Sequence, residues 1–241
     1  MNFTKKINTF RDISIFKKEN TYFVFAVDSV GAIGEKENDK LNIPVKISAK
    51  YNMRVCLNEI YSVGVKPEVV FSIVSNEWNE TGKNIYSGIL SELKENNLES
   101  IEVNGSTEEN FKTSMTAFGL TVMGTSNKLY FRNTKKGDKV YLIGLPRVGK
   151  EVLKNEKDNL NPLMIEEIFK NHKIGDFLPC GSKGISNELK ILEKENNLKV
   201  NIIEMYDIDF NKSAGPATCG IFTSSENIIL NNVKFIGRME E

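Results

Sequence analysis

The chain has 241 residues, 40% of them hydrophobic and 27% charged, with 32 Lys+Arg balanced by 32 Asp+Glu. That balance lacks the basic excess of a nucleic-acid-binding surface, and no apolar run approaches the ~18–20 residues of a membrane span. One histidine, His172, and three scattered cysteines, Cys56, Cys180 and Cys219, rule out histidine-rich metal sites, zinc-type spacing and a disulfide framework.

The elements follow in chain order. Residues 21–27, "TYFVFAV", predict a strand ending at Asp28, and a glycine- and charge-rich segment runs on to residue 42. Residues 48–63 have helical spacing, with Met53, Cys56, Leu57, Ile60 and Gly64 on one face. A strand is expected over 67–74, a helix over 82–97 with Ile85, Ile89 and Leu93 inward, and a strand over 100–105. "STEEN" reads as a helix capping box from Ser106 to Glu109, or as a loop of hydroxyls and acids. Residues 113–124 predict a long strand; "KLYFRN" and "KVYLIG" are two more, parted by the turn signal "KKGD". Helices are expected over 148–156 and 162–171, the second with Asn161 as cap and Pro162 at its first position. A helix over 184–197, a strand over 199–205 and two short strands complete the chain. The expected fold is mixed α and β, with a strand-rich half at 1–145 and an α/β half at 146–241. The N-terminus lacks the apolar stretch of a secretory signal, which fits a cytoplasmic protein.

With histidine and thiol chemistry scarce, reactivity falls to carboxylates, hydroxyls, lysines and backbone amides, groups that suit Mg²⁺ and phosphate. "GLPRVGKE", Gly144 to Glu151, fits most of a phosphate-binding loop, G-x-x-x-x-G-K-[ST]. Its closing position holds Glu151, whose carboxylate would repel phosphate, and Pro146 removes a cradle amide. A plain strand–turn–helix junction accounts for the segment better.

A second set of residues carries more. Asp28 ends a strand, Asp39 lies in "EKENDK", and Glu59 flanks the 48–63 helix, where Arg54 and Asn58 are spaced i,i+4. "NGSTEEN" supplies Asn104, Gly105, Ser106, Thr107, Glu108 and Asn110 as a strand exit rich in amides and hydroxyls. Carboxylates at strand and helix ends can hold Mg²⁺ with nucleotide phosphates. Each residue also has a plainer reading: Asp28 as a turn residue, Asp39 as solvated surface. Ser182 and Lys183 in "PCGSKG" read either as a basic group meeting phosphate or as a helix start.

Taken in order, "VDSVGAIG", "RVCLNEIYSVGVKP", "VNGSTEEN…TAFGLTVMG" and "KGDKVYLIGLPRVGKEV" resemble the aminoimidazole ribonucleotide synthetase (PurM-like) superfamily. Glu59 stands at that superfamily's acidic helix position, Gly64 and Pro67 at their own, and Ser106 where an acid is usual. Within it, the chain looks most like the short α-ribazole kinases. The resemblance implies a strand-rich N-terminal half that forms a barrel across a homodimer, and a shortened α/β C-terminal half. It implies ATP and Mg²⁺ as cofactors, with Asp28, Asp39 and Glu59 as metal ligands and Asp28 and Glu59 catalytic. Arg54, Asn58 and the 104–110 segment would serve the nucleotide, Ser182 and Lys183 the substrate. The activity implied is a small-molecule kinase acting on the 5′-hydroxyl of α-ribazole in cobalamin lower-ligand salvage, or another PurM-like ATP-dependent reaction such as thiamine-monophosphate phosphorylation. A non-catalytic nucleotide-binding dimer is the reading from another class.

Overall fold

A computed structural model describes residues 5–241, with side chains from Phe10 onward. The chain forms two compact units, the first made of residues up to Ile60 and Val65–Asn127, the second of Tyr61–Gly64 and Lys128–Glu241. Its strands are β1 (Lys5–Phe10), β2 (Ile13–Lys18), β3 (Thr21–Gly31), β4 (Ile33–Gly34), β5 (Leu41–Asn42), β6 (Val69–Val74), β7 (Glu102–Ser106), β8 (Ala117–Ser126), β9 (Lys139–Gly144), β10 (Ile174–Pro179), β11 (Lys199–Ile202), β12 (Cys219–Ser224) and β13 (Val233–Glu240). Its α-helices are α1 (Val45–Ser62), α2 (Lys83–Glu95), α3 (Lys150–Lys154), α4 (Pro162–Asn171) and α5 (Gly184–Asn196).

The first unit is a six-stranded sheet in the order β1-β2-β3-β8-β6-β7, with only β6 and β7 parallel. Strand alternation decides its two faces. Val24 and Ala26 of β3, Phe118, Leu120 and Val122 of β8, and Val70 of β6 are buried, together with Ala49, Met53, Cys56, Leu57 and Ile60 of α1. Helix α2 adds Ile85, Ile89 and Leu93 to the core. It comes close to α1 at Gly88, where a Cβ would lie 2.2 Å from the Lys46 carbonyl oxygen. The other face of the sheet leaves Val27, Phe71 and Ile73 exposed, the last at 65%.

The second unit is a five-stranded sheet in the order β10-β12-β9-β13-β11, every neighbouring pair antiparallel. Its core stacks Tyr141 on Phe222 at 5.3 Å and Phe222 on Phe177 at 5.6 Å between ring centroids. Neither large sheet closes into a barrel among the described residues.

Several sequence expectations are altered. "KLYFRN" is not a strand; its backbone is held singly, Tyr130 N–H donating to Val63 O and Asn133 N–H to the buried Asp176 carboxylate. No helix follows the proposed capping box at Ser106, because Thr107 Oγ1 and Glu109 Oε1 bond to each other at 2.6 Å inside a loop. The helix expected over 148–156 shortens to α3 and a 3₁₀ turn at Glu156–Asp158. The β1–β2 hairpin and β10 were not anticipated. The longer stretch of the second unit begins at Lys128 and includes β9, the central strand of its sheet.

Candidate functional site

Where β6 and β7 run parallel, their C-terminal ends open a cleft of about 190 Å³. Ser72, Gly105, Ser106 and Thr107 line one side; Trp78, Gly82 and Tyr86 line the other. The Trp78 and Tyr86 rings lie 6.1 Å apart at 58°. Gly105 is required here: a Cβ would lie 2.2 Å from Ser72 O and 2.3 Å from Ser72 Oγ, so only glycine lets β7 close on β6. Asn104 Oδ1 accepts from the Gly105 N–H at 2.8 Å and Glu108 Oε1 from the Asn110 N–H at 2.6 Å, which shapes the strand exit. The cleft therefore offers aromatic surface, hydroxyls and loop backbone in one place. It is smaller than the ~300–1,000 Å³ of a pocket that encloses a drug-sized ligand, so it would grip part of a nucleotide.

Loops are tied around it. Glu77 accepts from Lys36 Nζ and, at 2.9 Å, from Thr113 Oγ1. These bonds, led by that of Lys36, bring its carboxyl down to about 2. Asn76 spans the same gap, its Nδ2 donating to Thr113 Oγ1 and Met115 O and its Oδ1 accepting from Ala117 N–H.

Asp28 shares the cleft's sheet row. Register pairs Asp28 with Leu120, Leu120 with Ser72, and Ser72 with Gly105. Three inter-strand steps of about 4.8 Å set the Asp28 backbone roughly 14 Å from Gly105 along the row. Asp28 faces the helix side, accepting from Asn52 Nδ2 at 2.7 Å. Burial raises its pKa above the ordinary value against the bonds from Ser29 and Asn52, and Asp12 adds to the rise. The buried Asn52 Oδ1 makes no hydrogen bond among the described residues, leaving an acceptor beside this carboxylate.

The remaining expected residues are placed as follows. Asp39 accepts from Lys36 N–H at 2.8 Å, Thr116 N–H at 2.8 Å and Thr116 Oγ1 at 2.7 Å, closing the 36–39 turn onto the start of β8. What burial it has opposes ionisation, but the Thr116 and Lys36 bonds prevail and hold its pKa below the ordinary value. Glu59 pairs with Arg11 at 3.1 Å, both side chains buried. Arg54 forms a buried fork on Glu92 of α2, Nε to Oε1 at 2.7 Å and Nη2 to Oε2 at 2.8 Å, and lies 4.9 Å from the Tyr51 ring centroid. Asn58 is fully buried. Among the described residues no three His, Cys, Asp or Glu side chains come together as a group able to hold a metal ion. Asp28, Asp39 and Glu59 thus do not form the three-carboxylate centre the resemblance implies. The 104–107 segment lines the cleft, Arg54 is held by Glu92, and Asn58 is buried on α1. Trp78 and Tyr86 were missed, though an exposed lone tryptophan was a signal worth following.

In the second unit, Ser182 and Lys183 are exposed in the turn before α5. Gly184 has φ +75° and sits against the Phe210 and Lys212 carbonyls. "GLPRVGKE" is the strand–turn–helix junction from β9 to α3, with Gly144 and Gly149 both at positive φ. Glu151 turns back to accept from Val148 N–H at 3.4 Å and pairs with Lys212 at 2.6 Å, so the acid closes its own loop.

The fold is similar to that of solved structures of thiamine monophosphate kinase and of a HypE–HypF complex. Thiamine monophosphate kinase from Aquifex aeolicus superimposes with a TM-score of 0.69 at 14% identity, over 96% of this chain and 89% of that one. AaThiL complexed with AMPPCP and TMP gives 0.68 at 14% identity, over 95% and 84%. A HypE–HypF complex gives 0.64 at 15% identity, over 90% and 84%. At such identities the likeness is one of fold. No protein-family profile matches the sequence, and no curated protein matches it. No helix among the described residues is long and apolar enough to cross a membrane.

Proposed function

We propose that the protein is an ATP-dependent small-molecule kinase that takes Mg-ATP as substrate. The observation that carries this reading is the superposition on thiamine monophosphate kinase along nearly the whole chain, with "NGST" at the wall of an aromatic-lined cleft. Trp78 and Tyr86 would stack the base. The hydroxyls of Ser72, Ser106 and Thr107 and the amides of the strand exit would bind phosphate oxygens. Asp28, in the same sheet row, would meet the Mg²⁺ that arrives with ATP. Phosphoryl transfer asks little more of a protein than positioning and charge neutralisation. Ser106 at an acid's usual place weakens metal binding there and leaves a phosphate donor.

The acceptor favoured by the sequence resemblance is the 5′-hydroxyl of α-ribazole, and the same resemblance assigns Ser182 and Lys183 to the substrate. The fold neighbours favour thiamine monophosphate as the alternative. The exposed strip of Val27, Phe71 and Ile73 supports a homodimer joined through the open sheet face, since a monomer seldom leaves such a row to water. A barrel would then close across two chains.

The deciding experiment measures ADP release from Mg-ATP with α-ribazole, with thiamine monophosphate and with neither, and weighs the product. ADP that appears only with α-ribazole, and a product heavier by one phosphate, is the expected result. ADP formed equally with and without an acceptor would overturn the kinase reading in favour of an ATPase, and none at all despite Mg-ATP binding would leave a nucleotide-binding dimer.

A further inference from the structure

The turn between β1 and β2 consists of Arg11 and Asp12, with Phe10 paired to Ile13 across it. Arg11 has φ +53°, in the left-handed region. Two-residue hairpin turns fill such a position with Gly, Asn or Asp, so an arginine there points to a demand beyond the turn itself. The demand is visible: Arg11 Nη2 lies 3.1 Å from Glu59 Oε1, with side chains only 3% and 7% exposed. With so little exposure, each charge needs a partner inside the fold. A guanidinium is therefore already bonded to Glu59, one of the carboxylates the resemblance makes a metal ligand.

We propose that Arg11 is a tethered cation standing where the resemblance places a divalent metal at Glu59, so that Glu59 positions Arg11 and ligates no metal. A guanidinium is charged at every working pH and, unlike an ion, cannot be washed out. It neutralises Glu59 permanently and closes that carboxylate to a second cation. Any divalent ion that enters with a substrate is met without Glu59. The inference concerns this chain's own carboxylates and holds whether or not ATP is turned over.

The test uses Mn²⁺ alone, without nucleotide, followed by electron paramagnetic resonance of the free ion. Even residues that only support a metal ligand are worth about 10–100-fold in affinity, so losing a true ligand must cost about tenfold or more. Glu59→Gln is expected to bind Mn²⁺ as the native chain does. Arg11→Gln is expected to gain at least about tenfold in Mn²⁺ affinity, and Arg11→Gln/Glu59→Gln to lose that gain. Should Arg11→Gln fail to fold, Arg11→Lys keeps the charge and is expected to show native Mn²⁺ binding. Weakened Mn²⁺ binding in Glu59→Gln, no gain in a folded Arg11→Gln, or a gain in Arg11→Lys would each overturn the proposal.

Discussion

Removing the guanidinium of Arg54 tests what holds α1 to α2. Its fork on Glu92 has bonds of 2.7 and 2.8 Å, and the two side chains are 5% and 0% exposed. Arg54→Ala leaves the Glu92 carboxylate buried without its counter-charge, a change that costs about 3–5 kcal/mol. Asn96 Nδ2, 3.0 Å from Glu92 Oε1, offsets a part of this. Set against a typical domain stability of about 5–15 kcal/mol, the loss is a large fraction. At about 2–4 °C per kcal/mol for a chain of this size it lowers Tm by roughly 6–20 °C. Urea unfolding read by Trp78, the chain's single tryptophan, reports on the unit that holds the pair. Arg54→Met/Glu92→Leu should return most of the loss, because an apolar pair can replace a buried ion pair at little cost. A single-variant loss below about 1 kcal/mol, or a double variant less stable than the single, would refute the argument. The same double variant should bind Mg-ATP with native affinity, since the guanidinium is spent on Glu92; a clear loss would return Arg54 to the nucleotide site.

Gly105→Ala should force β7 away from β6 and cost about 1–3 kcal/mol while weakening Mg-ATP binding; urea unfolding and a nucleotide titration check both, and a fully native variant would show that the strands part freely. Glu77 has its pKa lowered to about 2, chiefly by Lys36, so the stability it lends is present above the ordinary carboxyl value and is lost as pH falls toward 2. Lys36→Met should flatten the stability–pH curve over that acid range, and an unchanged curve would show the pair contributes nothing. Ile73→Glu, on the open sheet face, should shift a native dimer to monomer in sedimentation equilibrium without unfolding it; a native chain that is already monomeric would remove the dimer reading.

Periodicity alone determined much of this protein. Alternation set β3, β6 and β8, the 3.6 repeat set α1 and α2, and Asn161 with Pro162 fixed the start of α4, because these signals are local. The end of β7 at Asn104–Ser106 followed from a local signal too, a strand pattern running into glycine and small hydroxyls. Only the tertiary structure decided which charges are free to act. Arg54 and Glu92 lie far apart in sequence, as do Arg11 and Glu59, and nothing in either local pattern couples them. Lone acids and arginines read alike on paper whether they serve a ligand or a neighbouring helix. Pairing across the fold makes Asp39 a loop anchor and Glu59 a buried partner, while register carries Asp28 into the row of Ser72 and Gly105. Secondary structure follows from short-range sterics and hydrophobic period, whereas the protonation and availability of a carboxylate follow from what long-range packing brings against it.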